Sequence, residues 1–276
     1  MRLRSLLFVP GDRPERVPKA GASGADAIII DLEDSVAPDK KSSARETTTR
    51  ILSDPPVEQP IFVRVNPLGS AFLEDDLPIA AQAQGVVLPK AEGAQSIARL
   101  DEMSPGLPPI LPIATETPGA VFELGSYRRC AGRLAGISWG AEDLPAAIGA
   151  ATSRADDGSY LPPYEMVRSL TLFAAHAAGA HAIDTVFPAI RDLDGLARYA
   201  RRAARDGFTG MLALHPDQIG PINDAFTPDE DEINRARRIV DAFAAQPNAG
   251  VLMLDGQMVD APHLKQAKAL LARARP

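Results

Sequence analysis

Two segments carry carboxylates where they could share a cation. Ile113-Ala-Thr-Glu116-Thr-Pro-Gly119 and Ile137-Ser-Trp-Gly-Ala-Glu142-Asp143-Leu144 each begin as a short apolar run and end in an acid beside small residues. A parallel strand that ends this way delivers its acid to one edge of a sheet. Two neighbouring strands that do so put two acids within reach of one divalent ion. Glu116 and Asp143 are therefore candidate metal ligands. The donors are oxygens, with no thiolate and no clustered histidine, which favours Mg2+, or Mn2+, over zinc. The alternative is that each acid caps the following helix or pairs with an arginine.

Other strand ends add to this inventory. Asp31-Leu-Glu33-Asp34 places Asp31 and Glu33 on one side of a strand, with Asp34 at its end. Three acids so close repel unless cations or donors intervene. Glu33 and Asp34 read as an outer shell that orients metal ligands or their water, or as a turn acid and a salt bridge. Arg64 interrupts the apolar run Ile61-Phe-Val-Arg-Val-Asn66 and needs an anion there. Its planar fork suits a substrate carboxylate or an enolate oxygen, and equally a pair with a neighbouring acid. Arg13, Arg16 and Lys19 follow Gly11 near the start of the first helix, either as an anion site or as a solvated face. His215 ends the last strand. His176, His181 and His263 show no ligand spacing, and Asp156 and Asp157 fall in a Gly/Ser loop where exposure is expected.

Positioning these groups requires a regular frame. Eight β-rich runs recur, at Ser5–Pro10, Ala27–Asp34, Ile61–Asn66, Gly85–Lys90, Ile110–Glu116, Leu134–Gly140, Ala182–Phe187 and Met211–His215. Helical stretches such as Pro38–Leu52, Gln95–Met103, Glu165–Ala178 and Leu193–Asp206 separate them. Apolar runs without strict alternation suit parallel strands covered on both faces. Eight such repeats point to an α/β chain folded as a TIM (β/α)8 barrel, whose chemistry belongs at the C-terminal strand ends. A doubly wound sheet is the alternative, but no G-x-G-x-x-G follows the first strand. The expected division is a barrel over 1–225 and a last helix with a C-terminal arm over 226–276. A capping box at Thr227-Pro-Asp-Glu230 should open a helix through about Ala244. Val251–Ala274 should add a turn and a further helix, an arm packing on a neighbouring subunit. The longest gap, between the sixth and seventh strands, holds a turn-rich loop over 152–163.

The chain has 276 residues, 45% apolar and 24% charged, with net charge −7 and pI near 5.2. That balance argues against nucleic acid as a general partner. No apolar run approaches the roughly 18 residues of a membrane span, and Met1–Pro10 reads as a first strand rather than a signal peptide. Cys130 is the single cysteine, so no internal disulfide can form. It reads as a small core residue in a cytoplasmic protein.

Taken in order, Leu6-Leu-Phe-Val-Pro-Gly-Asp-Arg-Pro-Glu-Arg16, Asp31-Leu-Glu-Asp-Ser-Val-Ala-Pro-Asp-Lys40, Val63-Arg-Val-Asn66, Leu88-Pro-Lys90, Glu116-Thr-Pro-Gly119, Gly140-Ala-Glu-Asp143, His215-Pro-Asp-Gln218 and Gly256-Gln-Met-Val-Asp260 carry a resemblance. The chain resembles citrate lyase β-subunit-like proteins and malyl-CoA lyases of the HpcH/HpaI aldolase superfamily, almost end to end. The resemblance implies a TIM barrel forming homotrimers or hexamers, with Mg2+ held by Glu116 and Asp143. It implies that Arg64 contacts the keto acid or enolate, and that Arg13 and Lys19 approach the phosphates of coenzyme A. It also implies that Asp260, on the C-terminal arm, enters a neighbour's site and protonates the enolate carbon. One departure is Met211, which stands where relatives often carry lysine. The implied activity is Mg2+-dependent cleavage of a 3-hydroxy-3-carboxyacyl-CoA, such as malyl-CoA or citramalyl-CoA, to acetyl-CoA and a 2-oxo acid. The alternatives are a citryl-thioester lyase subunit acting on an acyl carrier protein, an acyl-CoA thioesterase, and a non-catalytic CoA-binding regulator.

Overall fold

The computed structural model describes residues 1–274. Eight short strands form one parallel sheet: β1 (Ser5–Pro10), β2 (Ala27–Asp31), β3 (Ile61–Arg64), β4 (Gly85–Leu88), β5 (Ile110–Pro112), β6 (Gly136–Ser138), β7 (His181–Asp184) and β8 (Gly210–Ala213). The pairing order is β5-β4-β3-β2-β1-β8-β7-β6. Two isolated parallel bridges, Ile110 to Leu134 and Ile113 to Ser138, join the outermost strands and close the ring. The fold is a TIM barrel. Its interior is filled by Leu6, Ala27, Ile29, Phe62, Val87, Leu111, Ile183 and Leu212, all buried.

Helices return the chain between strands: α1 (Val17–Ala22), α2 (Lys41–Ser53), α3 (Leu73–Ala80), α4 (Gly93–Met103), α5 (Pro118–Glu123), α6 (Asp143–Ile148), α7 (Pro162–Ala178) and α8 (Leu193–Asp206). Local chemistry sets their ends. Thr117 caps α5, its hydroxyl accepting from Ala120 N, and Pro118 opens the helix where a missing N–H costs nothing. Gly179 and Gly207 stop α7 and α8 in the left-handed conformation. Then follow α9 (Ile219–Phe226), α10 (Glu230–Ala245), β9 (Val251–Leu254), β10 (Gln257–Asp260) and α11 (Ala261–Arg273).

The chain divides into two compact units, Met1–Asn223 and a second from Asp224 onward. In the second, Ile239, Phe243, Leu252 and Val259 form the centre of a small core of their own. Two local expectations change here. The cap of α10 is Asp229, in a reciprocal box with Glu232, rather than Thr227. The stretch before α11 is an antiparallel hairpin rather than a turn: Asp255 and Gly256 both have positive φ between the paired strands β9 and β10. An Asp-Gly pair between apolar runs is the ordinary signature of such a hairpin. Cys130 is half-buried rather than a core residue. Met211 is fully buried in β8. No helix among the described residues is long and apolar enough to cross a membrane.

Candidate active site

Seven of the eight strands end before their apolar runs do, β1 alone matching its run, so most of the candidate residues sit on the turns just past the sheet. There they surround a cavity of about 620 Å3, whose lining includes Asp34, Arg64, Glu116 and Asp143. Glu116 follows β5 and Asp143 opens α6 after β6. The two acids therefore flank the seam at which the barrel closes.

Glu116 is buried, at 5% exposure. Its Oε2 accepts the main-chain N–H of Lys90 at 2.5 Å. Burial pushes its carboxyl up to about 8, and the charge of Asp143 adds to the rise against the pull of Lys90. Gly140 makes room for it: a Cβ there would stand 2.5 Å from Glu116 Cγ. Asp143 is more open, with 38% of its side chain accessible.

Lys90 emerges as a site residue that composition and spacing did not single out. Its φ of 52° is left-handed and non-glycine, a conformation that costs about 1–2 kcal/mol. That conformation aims its N–H at Glu116. Its ammonium lies 2.7 Å from Glu33 Oε1 and 3.5 Å from Asp143 Oδ1. Burial works to lower the Lys90 pKa, but Glu33, Glu116 and Asp143 raise it overall. The signal in the sequence was a cation placed at a strand end, in Leu88-Pro-Lys90.

Arg64 is committed to the barrel acids. Its Nε and Nη2 donate to Asp31 at 2.7 and 2.6 Å. Its Nη1 lies 2.9 Å from Glu33 Oε2, an ion pair without hydrogen-bond alignment, and the guanidinium stacks 4.8 Å from the centre of the Phe8 ring. Both earlier readings of Arg64 are thus present, since it is a structural pair and it lines the cavity. Burial would raise the Asp31 carboxyl, but Arg64 outweighs it and holds Asp31 below the usual range. For Glu33 burial wins, and its carboxyl is raised despite Arg64 and Lys90. Lys41, also buried, clamps the turn from behind by donating to the carbonyls of Leu32 and Glu33 and to Asn66 Oδ1.

Arg16 and Lys19 line the cavity, whereas Arg13 lies outside the lining. Arg13 is exposed, 3.8 Å from Asp12. His215 lines the cavity too, and its Nδ1 accepts from Asp217 N. Asp260 belongs to the second unit, where it caps α11 and holds His263 Nδ1 at 2.5 Å. The His263 hydrogen bond keeps its carboxyl below the usual range, opposite to what an acid donor needs.

Among the described residues, no group of three or more His, Cys, Asp or Glu is placed to hold a metal. The donor set at the seam is two carboxylates. That fits a hard ion such as Mg2+, which commonly takes one or two protein carboxylates and keeps its other positions for water and substrate. A buried acid at Glu116, raised by burial and by its neighbour, is also the kind of group that a divalent charge would relieve.

Comparison with known proteins agrees with this geometry. The family model for HpcH/HpaI aldolase/citrate lyase matches residues 4–216. The citrate lyase subunit beta-like protein of Mycobacterium tuberculosis is 39% identical over 277 residues, covering 97% of this chain and 94% of that one. Mitochondrial citramalyl-CoA lyase of Rattus norvegicus is 32% identical over 300 residues, with 98% and 86% covered. The solved structure of CitE from M. tuberculosis in complex with magnesium, acetoacetate and coenzyme A superposes with a TM-score of 0.84 at 37% identity. That match covers 98% of this chain and 97% of the other.

Proposed function

The chain belongs to the HpcH/HpaI aldolase/citrate lyase family and is a magnesium-dependent lyase; from that premise we propose that it cleaves a 3-hydroxy-3-carboxyacyl-CoA to acetyl-CoA and a 2-oxo acid. Malyl-CoA and citramalyl-CoA are the substrates to test first. The observation that carries this reading is the meeting of Glu116 and Asp143 across the barrel seam, beside Arg64.

In this reading Glu116 and Asp143 hold Mg2+. When bound, the ion supplies Lewis-acid chelation of the substrate carboxylate and hydroxyl, which lowers the hydroxyl pKa. Arg64 presents fixed positive charge to the oxygen that gains charge as the carbon–carbon bond breaks. An oxyanion donor of this type is worth roughly 3–4 kcal/mol. Asp31 and Glu33 fix its orientation and share its charge, so the arginine is rigid before substrate arrives. Lys90 holds Glu116 through its main chain and neutralises Glu33 through its side chain. Arg16 and Lys19 give the cavity a basic side suited to the phosphates of coenzyme A, with Arg13 as a more exposed contribution. Glu33 and Asp34 act one shell outside the metal ligands. Asp260 is the proposed acid for the enolate carbon. Because His263 lowers its pKa within its own unit, this role requires burial against a second chain.

Exposed apolar side chains are consistent with such an arrangement. Met166, Leu170 and Phe173 form a stripe along α7 at helical spacing, and Met166 and Phe173 are 57% and 66% exposed. Met253 and Met258, paired across the hairpin, are 69% and 58% exposed. Exposed apolar stripes of this kind, one in each unit, mark association faces, and a second copy of the chain is the proposed occupant, as a trimer or hexamer. A cytoplasmic location accords with the single half-buried cysteine.

The deciding assay is incubation with malyl-CoA and citramalyl-CoA in the presence of Mg2+. Release of glyoxylate or pyruvate is expected, and no cleavage of either substrate refutes the reading. Malate with free CoA and no glyoxylate would identify a thioesterase instead. Asp260→Asn should lose turnover while keeping Mg2+ affinity; loss of assembly would reassign Asp260 to structure.

A further inference from the structure

The two acids that flank the seam are carried by the pair of strands least held by the sheet. Every other neighbouring pair in the barrel forms a ladder, whereas β5 and β6 are joined only by isolated bridges. Past those bridges the link reduces to Thr115, whose hydroxyl meets Gly140 N at 3.2 Å and Gly140 O at 3.4 Å. A floating segment would not serve a metal ligand, because coordination tolerates displacements of only a fraction of an ångström.

Behind β6 and β7 a single carboxylate gathers donors from several elements. Asp184 is fully buried. Its Oδ1 accepts Trp139 Nε1 at 2.6 Å, Thr185 N at 2.9 Å and the Tyr199 hydroxyl at 3.0 Å. Its Oδ2 accepts Arg168 Nε and Nη2 at 3.0 and 2.8 Å. Trp139 immediately precedes Gly140 and the Gly140–Asp143 turn. On its other side Tyr160 meets it edge-on, with ring centres 5.0 Å apart, and Arg154 covers Tyr160 at 4.0 Å. The indole is therefore fixed at its nitrogen and at its ring. Gly140, next in the chain, touches Glu116 so closely that no side chain fits between them.

We propose that Asp184 and Trp139 are positioning residues that hold the end of β6 in place of a ladder, setting the distance between Asp143 and Glu116. The inference rests on the metal reading of that pair. Asp184 lies outside the cavity lining, whereas Trp139 is part of it beside Gly140. Each acts through the main chain of residues 139–143.

The test uses Mg2+ affinity, read by calorimetry on the full-length protein. Trp139→Phe removes one donor and leaves Asp184 with Arg168, Tyr199 and Thr185. It should weaken Mg2+ binding about tenfold, the lower end of what loss of an outer-shell partner costs. Asp184→Asn keeps the tryptophan, which is the only one in the chain, so its emission reports on this position alone. That variant should show a shifted emission maximum and a similar loss of Mg2+ affinity. Asp26→Asn, at the opposite end of β1 and β2, serves as a destabilised control and should leave affinity unchanged. Unchanged Mg2+ affinity in both hub variants would overturn the proposal. So would an equal loss in Asp26→Asn, because the effect would then follow stability and not position. If the wild type itself binds no Mg2+, the metal reading fails and not merely the positioning claim.

Discussion

Gly140→Ala isolates the geometry of the metal pair with a single methyl group. Gly140 does not adopt the left-handed conformation, so an alanine backbone is unstrained there and any effect is steric. The new Cβ would lie 2.5 Å from Glu116 Cγ and 3.2 Å from both Cδ and Oε1. Because Cγ is close to the main chain, Glu116 has to change rotamer. Doing so breaks its 2.5 Å hydrogen bond from Lys90 N. A hydrogen bond to a charged group is worth about 1.5–3 kcal/mol. Taking about 2 kcal/mol of that as lost ligand organisation gives roughly thirtyfold weaker Mg2+ binding, since about 1.4 kcal/mol is tenfold. Isothermal titration of Mg2+ into wild type and variant measures this, with a melting curve to show that the variant is folded. A folded variant that binds Mg2+ within twofold of wild type would refute the reasoning, because Glu116 would then not coordinate from the position seen here.

Four further outcomes follow from other parts of the molecule. Arg64→Ala strands the buried Asp31 and Glu33 carboxylates, and breaking a buried pair from one side costs roughly 3–5 kcal/mol; urea denaturation should show that loss together with inactivity, and wild-type stability would contradict it. Asp26 accepts Arg4 N, Nε and Nη2 at 2.8, 2.9 and 2.8 Å. Burial works to raise its pKa, but Arg4 outweighs burial and holds it below the ordinary 3.8. A depressed carboxylate pKa gives stability that is complete above the unfolded value and is lost as pH falls through the folded one. The stability difference between wild type and Asp26→Asn should therefore be flat at neutral pH and shrink below about pH 4, and a difference that persists unchanged in acid would show that Arg4 does not act through charge. Phe173→Asp should reduce the assembly mass in light scattering, whereas an unchanged mass would remove α7 from the interface. EDTA should abolish lyase turnover and added Mg2+ or Mn2+ restore it; full turnover in chelator would exclude the two-carboxylate site.

Much of the barrel was legible because each strand and helix obeys a local rule. The eight apolar runs all became strands, and Leu193–Asp206 became α8 end to end, where Asp192 caps one terminus and Gly207 stops the other. The runs overshot at their C-terminal ends because apolar and small residues continue past the last ladder hydrogen bond into the cavity wall. Ile113 is one example: it reads as strand by type but lies one residue past β5, donating to Leu88 O and making an isolated bridge to Ser138. The cap of α10 was misplaced by two residues because Thr227 and Asp229 satisfy similar patterns, and only geometry separates them. The hairpin at Asp255-Gly256 was readable from its turn residues.

By itself the sequence determined that carboxylates stand at the ends of neighbouring apolar runs, that one arginine lies inside a strand, and that the chain has the periodicity of a barrel. These are properties of residue type and spacing, fixed by the periodicities of strand and helix. Tertiary structure alone decided how those charges are spent. Arg64 turns to Asp31, 33 residues away, and Lys90 reaches Glu33, 57 residues away. Lys90 adopts a left-handed backbone, and Asp184 ties β6 to α7 and α8. Such partners are chosen by which side chains the closed ring brings face to face, and closure is a long-range event with no local trace. Glu116 and Asp143 illustrate both halves. Their identity is written in two short segments, but their meeting depends on the seam where β5 and β6 come together.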